Sequence, residues 1–180
     1  GYFIKEYFLN YSMHNSDVTF DFANADMHVH QSRAEPWTVT LVDTGLTTMT
    51  GGRLKRIQQF LDRDEPFFFT YGDGLADINL NVECSFHKNH GGLATVTAVH
   101  PPGRFGRLEI SEHMVTSFLE KPAGDGARIN GGYFILHPKV LDYIDGDECV
   151  WEEYPLSELS RQGELFAFCH NGFWQPMDTL

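Results

Sequence analysis

Six residues, Pro66-Phe67-Phe68-Phe69-Thr70-Tyr71, form an unbroken, mostly aromatic run that stops at Gly72-Asp73-Gly74. A run this short and continuous predicts a strand covered on both faces, as in the middle of a parallel sheet. Such a strand needs helices above and below it, and the rest of the chain supplies candidates. Phe3, Ile4, Tyr7, Phe8 and Tyr11 recur at helical spacing, so residues 2–11 read as an amphipathic helix. Val18–Phe22, Met27–Gln31 and Trp37–Val42 are short alternating segments, read as strands. Met49-Thr50-Gly51-Gly52-Arg53 opens a helix with Leu54, Ile57, Phe60 and Leu61 on one face.

A helix follows over Leu80–His90 and a β-branched strand over Leu93–Val99. Residues 101–121 read as a Pro/Gly loop and two strands ending at Glu120-Lys121-Pro122. Beyond them come a strand at Gly132–Leu136, a helix at Pro138–Ile144 with Pro in its first turn, a helix near Pro155–Arg161 and a strand at Leu165–Cys169. Helices alternating with strands give an α/β fold with a mixed, mostly parallel sheet, and residues 1–180 read as a single domain.

Composition agrees: 42% hydrophobic residues, with 15 Phe, can bury a core and exclude a disordered chain. With 13 Lys and Arg against 25 Asp and Glu, the net charge of −12 argues against nucleic acid as a partner. No run of about 18 apolar residues occurs, so no membrane span is expected. Three cysteines, Cys84, Cys149 and Cys169, fit a reduced, cytoplasmic setting better than a disulfide scaffold. The chain opens at Gly1 without an initiator Met or a signal peptide, which leaves a processed protein or a fragment.

Ligands of open α/β sheets bind beyond the carboxyl ends of strands, where Asp73 sits between two glycines. A carboxylate there suits Mg²⁺ shared with substrate phosphates, although Gly-Asp-Gly is also an ordinary turn. Arg53 follows Gly51-Gly52, Arg104 and Arg107 lie in a Pro/Gly segment, and Lys121 precedes Pro122. Glycine-bordered cations supply open N–H groups and fixed charge, as a phosphorylated small substrate needs, or they merely solvate turns. Asn130-Gly131-Gly132 is either a tight turn or a place where a flat sugar ring meets an amide. Cys84-x-x-His87-x-x-His90 has helix spacing and lacks a fourth ligand at zinc-site spacing. His28 and His30 share one side of a strand and read as a solvated face. No Gly-x-Ser-x-Gly or Cys-x-x-Cys motif marks a covalent nucleophile.

Taken together, several stretches resemble the glucose-1-phosphate cytidylyltransferases of the sugar nucleotidyltransferase superfamily. They are Leu41-Val42-Asp43-Thr44-Gly45, Met49-Thr50-Gly51-Gly52-Arg53-Leu54-Lys55-Arg56, Thr70-Tyr71-Gly72-Asp73-Gly74 and Pro101-Pro102-Gly103-Arg104-Phe105-Gly106. Glu120-Lys121-Pro122, Ile129-Asn130-Gly131-Gly132 and Phe173-Trp174-Gln175-Pro176-Met177-Asp178-Thr179-Leu180 complete the set. Gly-Asp-Gly and Glu-Lys-Pro belong to the superfamily, whereas Thr-Gly-Gly-Arg and Trp-Gln-Pro-Met-Asp point to the cytidylyl branch.

The resemblance implies a Rossmann-like nucleotidyltransferase fold, CTP and glucose 1-phosphate as substrates, and CDP-glucose and pyrophosphate as products. It further implies nucleotide-sugar supply for O-antigen or cell-surface polysaccharide, and a homo-oligomer. By matching positions, Asp73 and Asp178 are the implied Mg²⁺ ligands, and Thr48, Arg53 and Gly72 the nucleotide contacts. Lys121 is implied at the sugar phosphate, with Glu120, Asn130 and Gly131 lining the glucose pocket. Lys121 and Asp73 are then the catalytic pair. The sugar phosphate is itself the nucleophile in such a reaction, which agrees with the missing Ser and Cys motifs. The rival reading within the superfamily is a UTP, dTTP or GTP enzyme, and outside it a non-catalytic relative. One part of the pattern is missing: the Gly-rich Gly-Gly-x-Gly-Thr-Arg loop, with its companion Lys, upstream of the position of Gly1. The expectation is therefore a fold truncated at both ends, with weak CTP binding, little turnover and poor solubility.

Overall fold

The structure is a computed structural model that describes residues 1–101, 107–111, 114–119 and 128–177. It divides into two units, Gly1–Gly45 and Leu46–Leu180. In the first, α1 covers Tyr2–His14, where apolar spacing predicted a helix. None of its residues is buried, and Phe3 and Leu9 are each 83% exposed. β1 (Ser16–Asp21) and β2 (Asp26–Ser32) form an antiparallel hairpin, with Ser16 opposite Ser32 and Asp21 opposite Asp26. Asp21 builds its turn by accepting from the Ala23 and Asn24 amides at 3.0 and 3.2 Å. The segment Trp37–Val42, expected as a strand, carries no ladder. An extended segment becomes a strand only where a neighbouring backbone takes its N–H and C=O groups. Trp37 instead stacks on Tyr11, their ring centres 5.4 Å apart, while the Tyr11 hydroxyl donates to Glu35.

The second unit runs α2 (Thr50–Arg56), β3 (Phe67–Thr70), β4 (Gly74–Ala76), α3 (Leu80–His90), β5 (Ala94–Val99), β6 (Arg107–Ser111) and β7 (Met114–Leu119). Then follow β8 (Ile129–Leu136), α4 (Tyr154–Arg161), β9 (Leu165–Cys169) and β10 (Trp174–Pro176). The strand order of the main sheet is β3-β8-β5-β9. β8 is antiparallel to both β3 and β5, and β9 is parallel to β5, so the α/β sheet is mixed. Among the described residues, parallel pairing is confined to that one ladder of the sheet. β6 with β7 and β4 with β10 make two separate antiparallel pairs.

β3 corrects the reading of the aromatic run. Among the described residues it lies at a sheet edge, antiparallel to its neighbour, with Phe68 half exposed while Phe67 and Phe69 pack against the core. Aromatic residues on both faces erased the alternation that would have marked a one-sided strand. The core itself is Leu54, Ala94, Phe134, Leu136, Val140, Leu141, Ile144, Trp151 and Leu159, each at most 2% exposed. Phe134 meets Trp151 edge-on at 6.0 Å, and Phe69 closes on both rings. Residues Pro138–Tyr143 coil as a 3₁₀-helix rather than the expected α-helix, with the His137 imidazole accepting from the Lys139 amide at its start.

α3 begins at Asn79, whose side chain accepts from the Asn81 and Val82 amides, and ends at Gly91 with φ +68°. Its inner side carries a polar cluster. The Gly92 amide donates to His90 Nδ1, which leaves the proton of the neutral ring on Nε2, facing Thr95 Oγ1 at 2.7 Å. The Thr95 hydroxyl then donates to His87 Nδ1 at 2.9 Å. Burial, reinforced by His90 and His137, holds the His87 imidazole down at about 4. Cys84, His87 and His90 thus sit on a helix whose two histidines are committed to one threonine.

Two outcomes follow. Gly132 has φ +77° and a Cβ there would lie 2.7 Å from the Tyr71 ring, whereas Gly91 has φ +68° with open space around it. Gly91→Ala should lower the urea-denaturation free energy by about 1 kcal/mol and Gly132→Ala by about 2 kcal/mol or more, a reversed order refuting the packing argument. His87 titrates near 4 when folded and at 6.5 when unfolded, so its contribution is complete above pH 6.5 and lost as pH falls toward 4. The stability gap between the native chain and His87→Gln should narrow by about 2 kcal/mol between pH 7.5 and pH 5, and a constant gap would contradict it.

Candidate active site

The turn after β3 exposes Gly72 and Asp73, and nothing lies within 4 Å of where a Gly72 Cβ would stand. Directly beyond it, β4 pairs with β10: Pro176 opposes Gly74 and Trp174 opposes Ala76. One step further, the Met177 amide donates to the Asp73 carbonyl at 2.8 Å. This pairing brings the residue before Asp178 onto Asp73, across 104 positions of sequence. Asp178 itself lies outside the described residues, as do Glu120, Lys121 and Arg104.

Asn130 and Gly131 open β8 beside this turn. The Asn130 side-chain oxygen accepts from the Gly132 amide at 2.8 Å, and the Trp174 indole donates to the Gly131 carbonyl at 2.7 Å. Tyr133 in turn donates its hydroxyl to the Gly74 carbonyl at 2.6 Å. The space of a Cβ at Gly131 is taken by Val99 at 2.9 Å, and at Gly132 by Tyr71 at 2.7 Å. Both glycines therefore accommodate neighbouring protein.

The same holds at the start of α2. Thr48 is buried, and the Gly51 and Gly52 amides donate to the Cys149 carbonyl at 2.9 and 3.2 Å. A Cβ at Gly52 would stand 2.6 Å from the Asp147 Cα. The expectation of open N–H groups at this glycine pair is corrected: they hold the 147–149 loop. Arg53 reaches back to the Leu46 carbonyl at 3.2 Å, and Arg56 forks onto Asp147.

Three residues that motif reading left without a role join these segments. The Tyr71 hydroxyl donates to Glu152. Thr50 donates to the other Glu152 oxygen at 2.6 Å while its own oxygen accepts from the Trp151 amide at 2.9 Å. Burial first, then the bond to Glu152, pushes the Tyr71 phenol far above its ordinary range, so it stays a neutral donor. Tyr71 and Thr50 lie inside quoted motifs, but Glu152 has no sequence signal, being 81 positions from Tyr71.

An open cleft of about 670 Å³ lined by Lys55, Arg56, Arg63 and Lys139 lies elsewhere and includes none of the predicted site residues. Two of its cations are committed, Lys55 to the Leu141 carbonyl and Arg56 to Asp147, so they tie α2 to the 138–147 segment. The Asp73 turn, with three chain segments converging on it, is the better candidate.

A family model described as nucleotidyl transferase matches residues 18–174. Glucose-1-phosphate cytidylyltransferases of Salmonella typhi and Salmonella typhimurium are each 61% identical to the chain over 180 residues, all of this chain and 70% of theirs. The HddC protein of Yersinia pseudotuberculosis shares the fold, with a TM-score of 0.53 and 21% identity over 73% of this chain and 57% of that one. The chain thus spans 70% of those curated relatives and a little over half of that solved structure. The likeness extends over the whole chain, and the chain belongs to the nucleotidyl transferase family, in its glucose-1-phosphate cytidylyltransferase branch.

Proposed function

We propose that this chain serves the Mg²⁺-dependent transfer of the cytidylyl group of CTP to glucose 1-phosphate, giving CDP-glucose and pyrophosphate. The observation that carries the reading is the 61% identity along the whole chain, with Gly72-Asp73-Gly74, Asn130-Gly131-Gly132 and Trp174–Met177 meeting at one turn. The family match from 18 to 174 crosses the division at Gly45, which supports treating 1–180 as parts of one nucleotidyltransferase domain. Cytoplasmic placement, a homo-oligomeric state and a role in O-antigen or cell-surface polysaccharide supply belong to the same proposal.

The reaction sets two anions against each other, and the protein must align them and offset their repulsion. Asp73 stands at an exposed turn with open space beside Gly72, and Met177 leads from it into Asp178. Hard carboxylate oxygens of this kind suit Mg²⁺, with substrate oxygens completing the shell. Asp73 and Asp178, which stand at the positions of the family's metal ligands, are the pair we assign to hold the ion. Bound there, Mg²⁺ would neutralise charge on the α-phosphate and the departing pyrophosphate. Lys121 is assigned to the sugar phosphate as a point charge, with Thr48, Arg53 and Gly72 toward the nucleotide. Glu120, Asn130 and Gly131 are assigned to the glucose hydroxyls.

The test measures pyrophosphate release from CTP and glucose 1-phosphate. The 180-residue chain should turn over far more slowly than the Salmonella typhi relative, and fusion to the part of that relative outside the match should restore the rate. In that fusion, Asp73→Asn or Asp178→Asn should cut turnover about 100-fold or more, and Lys121→Ala should chiefly raise the KM for glucose 1-phosphate. Chelation should abolish release and added Mg²⁺ restore it. Preference for UTP, dTTP or GTP in a four-nucleotide competition would replace CTP in the assignment, and unchanged kinetics in a variant would remove that residue from the site.

A further inference from the structure

We propose that Glu152 is a positioning residue for the Asp73 turn, acting through Tyr71; the proposal rests on the reading of Asp73 given above. Each of its carboxylate oxygens takes a different hydroxyl, one from Tyr71 and one from Thr50 at 2.6 Å. Thr50 is the first residue of α2 and is fixed in turn by the Trp151 amide at 2.9 Å. Tyr71 is two residues from Asp73, and its amide donates to the Gly132 carbonyl at 3.3 Å. Its ring fills the space over Gly132, the residue next to Gly131.

A single carboxylate thus joins the turn bearing Asp73, the strand start bearing Asn130 and Gly131, and the helix start between Thr48 and Arg53. These are the three segments to which the metal, the sugar and the nucleotide are assigned. Glu152 is itself exposed, so two charge-assisted hydrogen bonds rather than burial hold it in place. The neighbouring Glu153 is exposed too and makes no side-chain cap on α4, although its position in sequence is almost the same. The contrast makes Glu153→Gln the matched control.

The experiment is amide hydrogen–deuterium exchange on the 180-residue chain, followed in peptides covering 70–77 and 128–134. Glu152→Ala should speed exchange there about tenfold, the scale of one lost charge-assisted bond, and Tyr71→Phe should do the same. Glu152→Gln keeps one carbonyl oxygen and should recover part of the protection. The double variant Tyr71→Phe with Glu152→Ala should be no faster than either alone, because both remove the same link. Glu153→Gln should leave both peptides unchanged. Additive effects, an absent Gln rescue or unaltered exchange in Glu152→Ala would overturn the proposal.

A second readout separates the two readings. Mn²⁺ binding by the fusion described above in the presence of CTP, followed by water-proton relaxation, should weaken about tenfold in Glu152→Ala. If the fusion without substitutions binds no Mn²⁺ at all, the metal assignment fails while the exchange result still decides the role of Glu152.

Discussion

The ladders that β8 makes to β3 on one side and β5 on the other are what the rest of the 46–180 unit depends on. Leu136 pairs with both Phe67 and Ala94, so one end of the strand fixes the sheet. Phe134, Ile135 and Leu136 are almost wholly removed from water, and Phe134 carries the aromatic contacts to Phe69 and Trp151. The other end, Ile129 to Gly132, passes out of the core and meets Trp174 and Tyr71. A strand that is anchored in the core at one end transmits its register directly to the Asp73 turn at the other. A slip of one residue would turn Phe134 outward and move Asn130 to the opposite face.

Close approach of backbone to backbone is the second constraint. Gly51 and Gly52 let the 147–149 loop settle onto α2, and Gly131 lets the Thr97 carbonyl and Val99 press against β8. Glycines near a phosphate-handling site invite assignment to the ligand, yet here the space in question holds protein atoms. What they give the site is precision, because the groups around Asp73 are set by contacts that tolerate little displacement.

Local chemistry made much of this legible in the sequence. Leu80–His90 could be read whole because Asn79 caps its start and Gly91 takes the left-handed conformation at its end. Leu165–Cys169, an apolar strand closely following a helix, was equally plain. β3 misled because Phe on both faces hid which side was covered, and Trp37–Val42 because strand character depends on a partner elsewhere in the chain. Asp73 was visible from its flanking glycines, and the family likeness rested on stretches that include it. Its closeness to Met177 was not visible, since the pairing of β4 with β10 joins segments about 100 residues apart. Glu152 sits beside another glutamate in Trp151-Glu152-Glu153, and only the fold distinguishes the two.

The apolar residues of α1 and of the β1–β2 hairpin, exposed as described, also govern how these molecules behave in bulk solution. Tyr2, Phe3, Leu9, Phe20 and Phe22 present oily surface to water on a chain whose net charge is −12. Mutual repulsion holds such molecules apart when few ions are present. Dissolved salt shortens the range of that repulsion, and a strongly hydrated anion such as sulfate also favours the merging of oily surfaces. Both changes act in the same direction, so ionic composition becomes the variable that sets whether copies of the chain stay dispersed or coalesce.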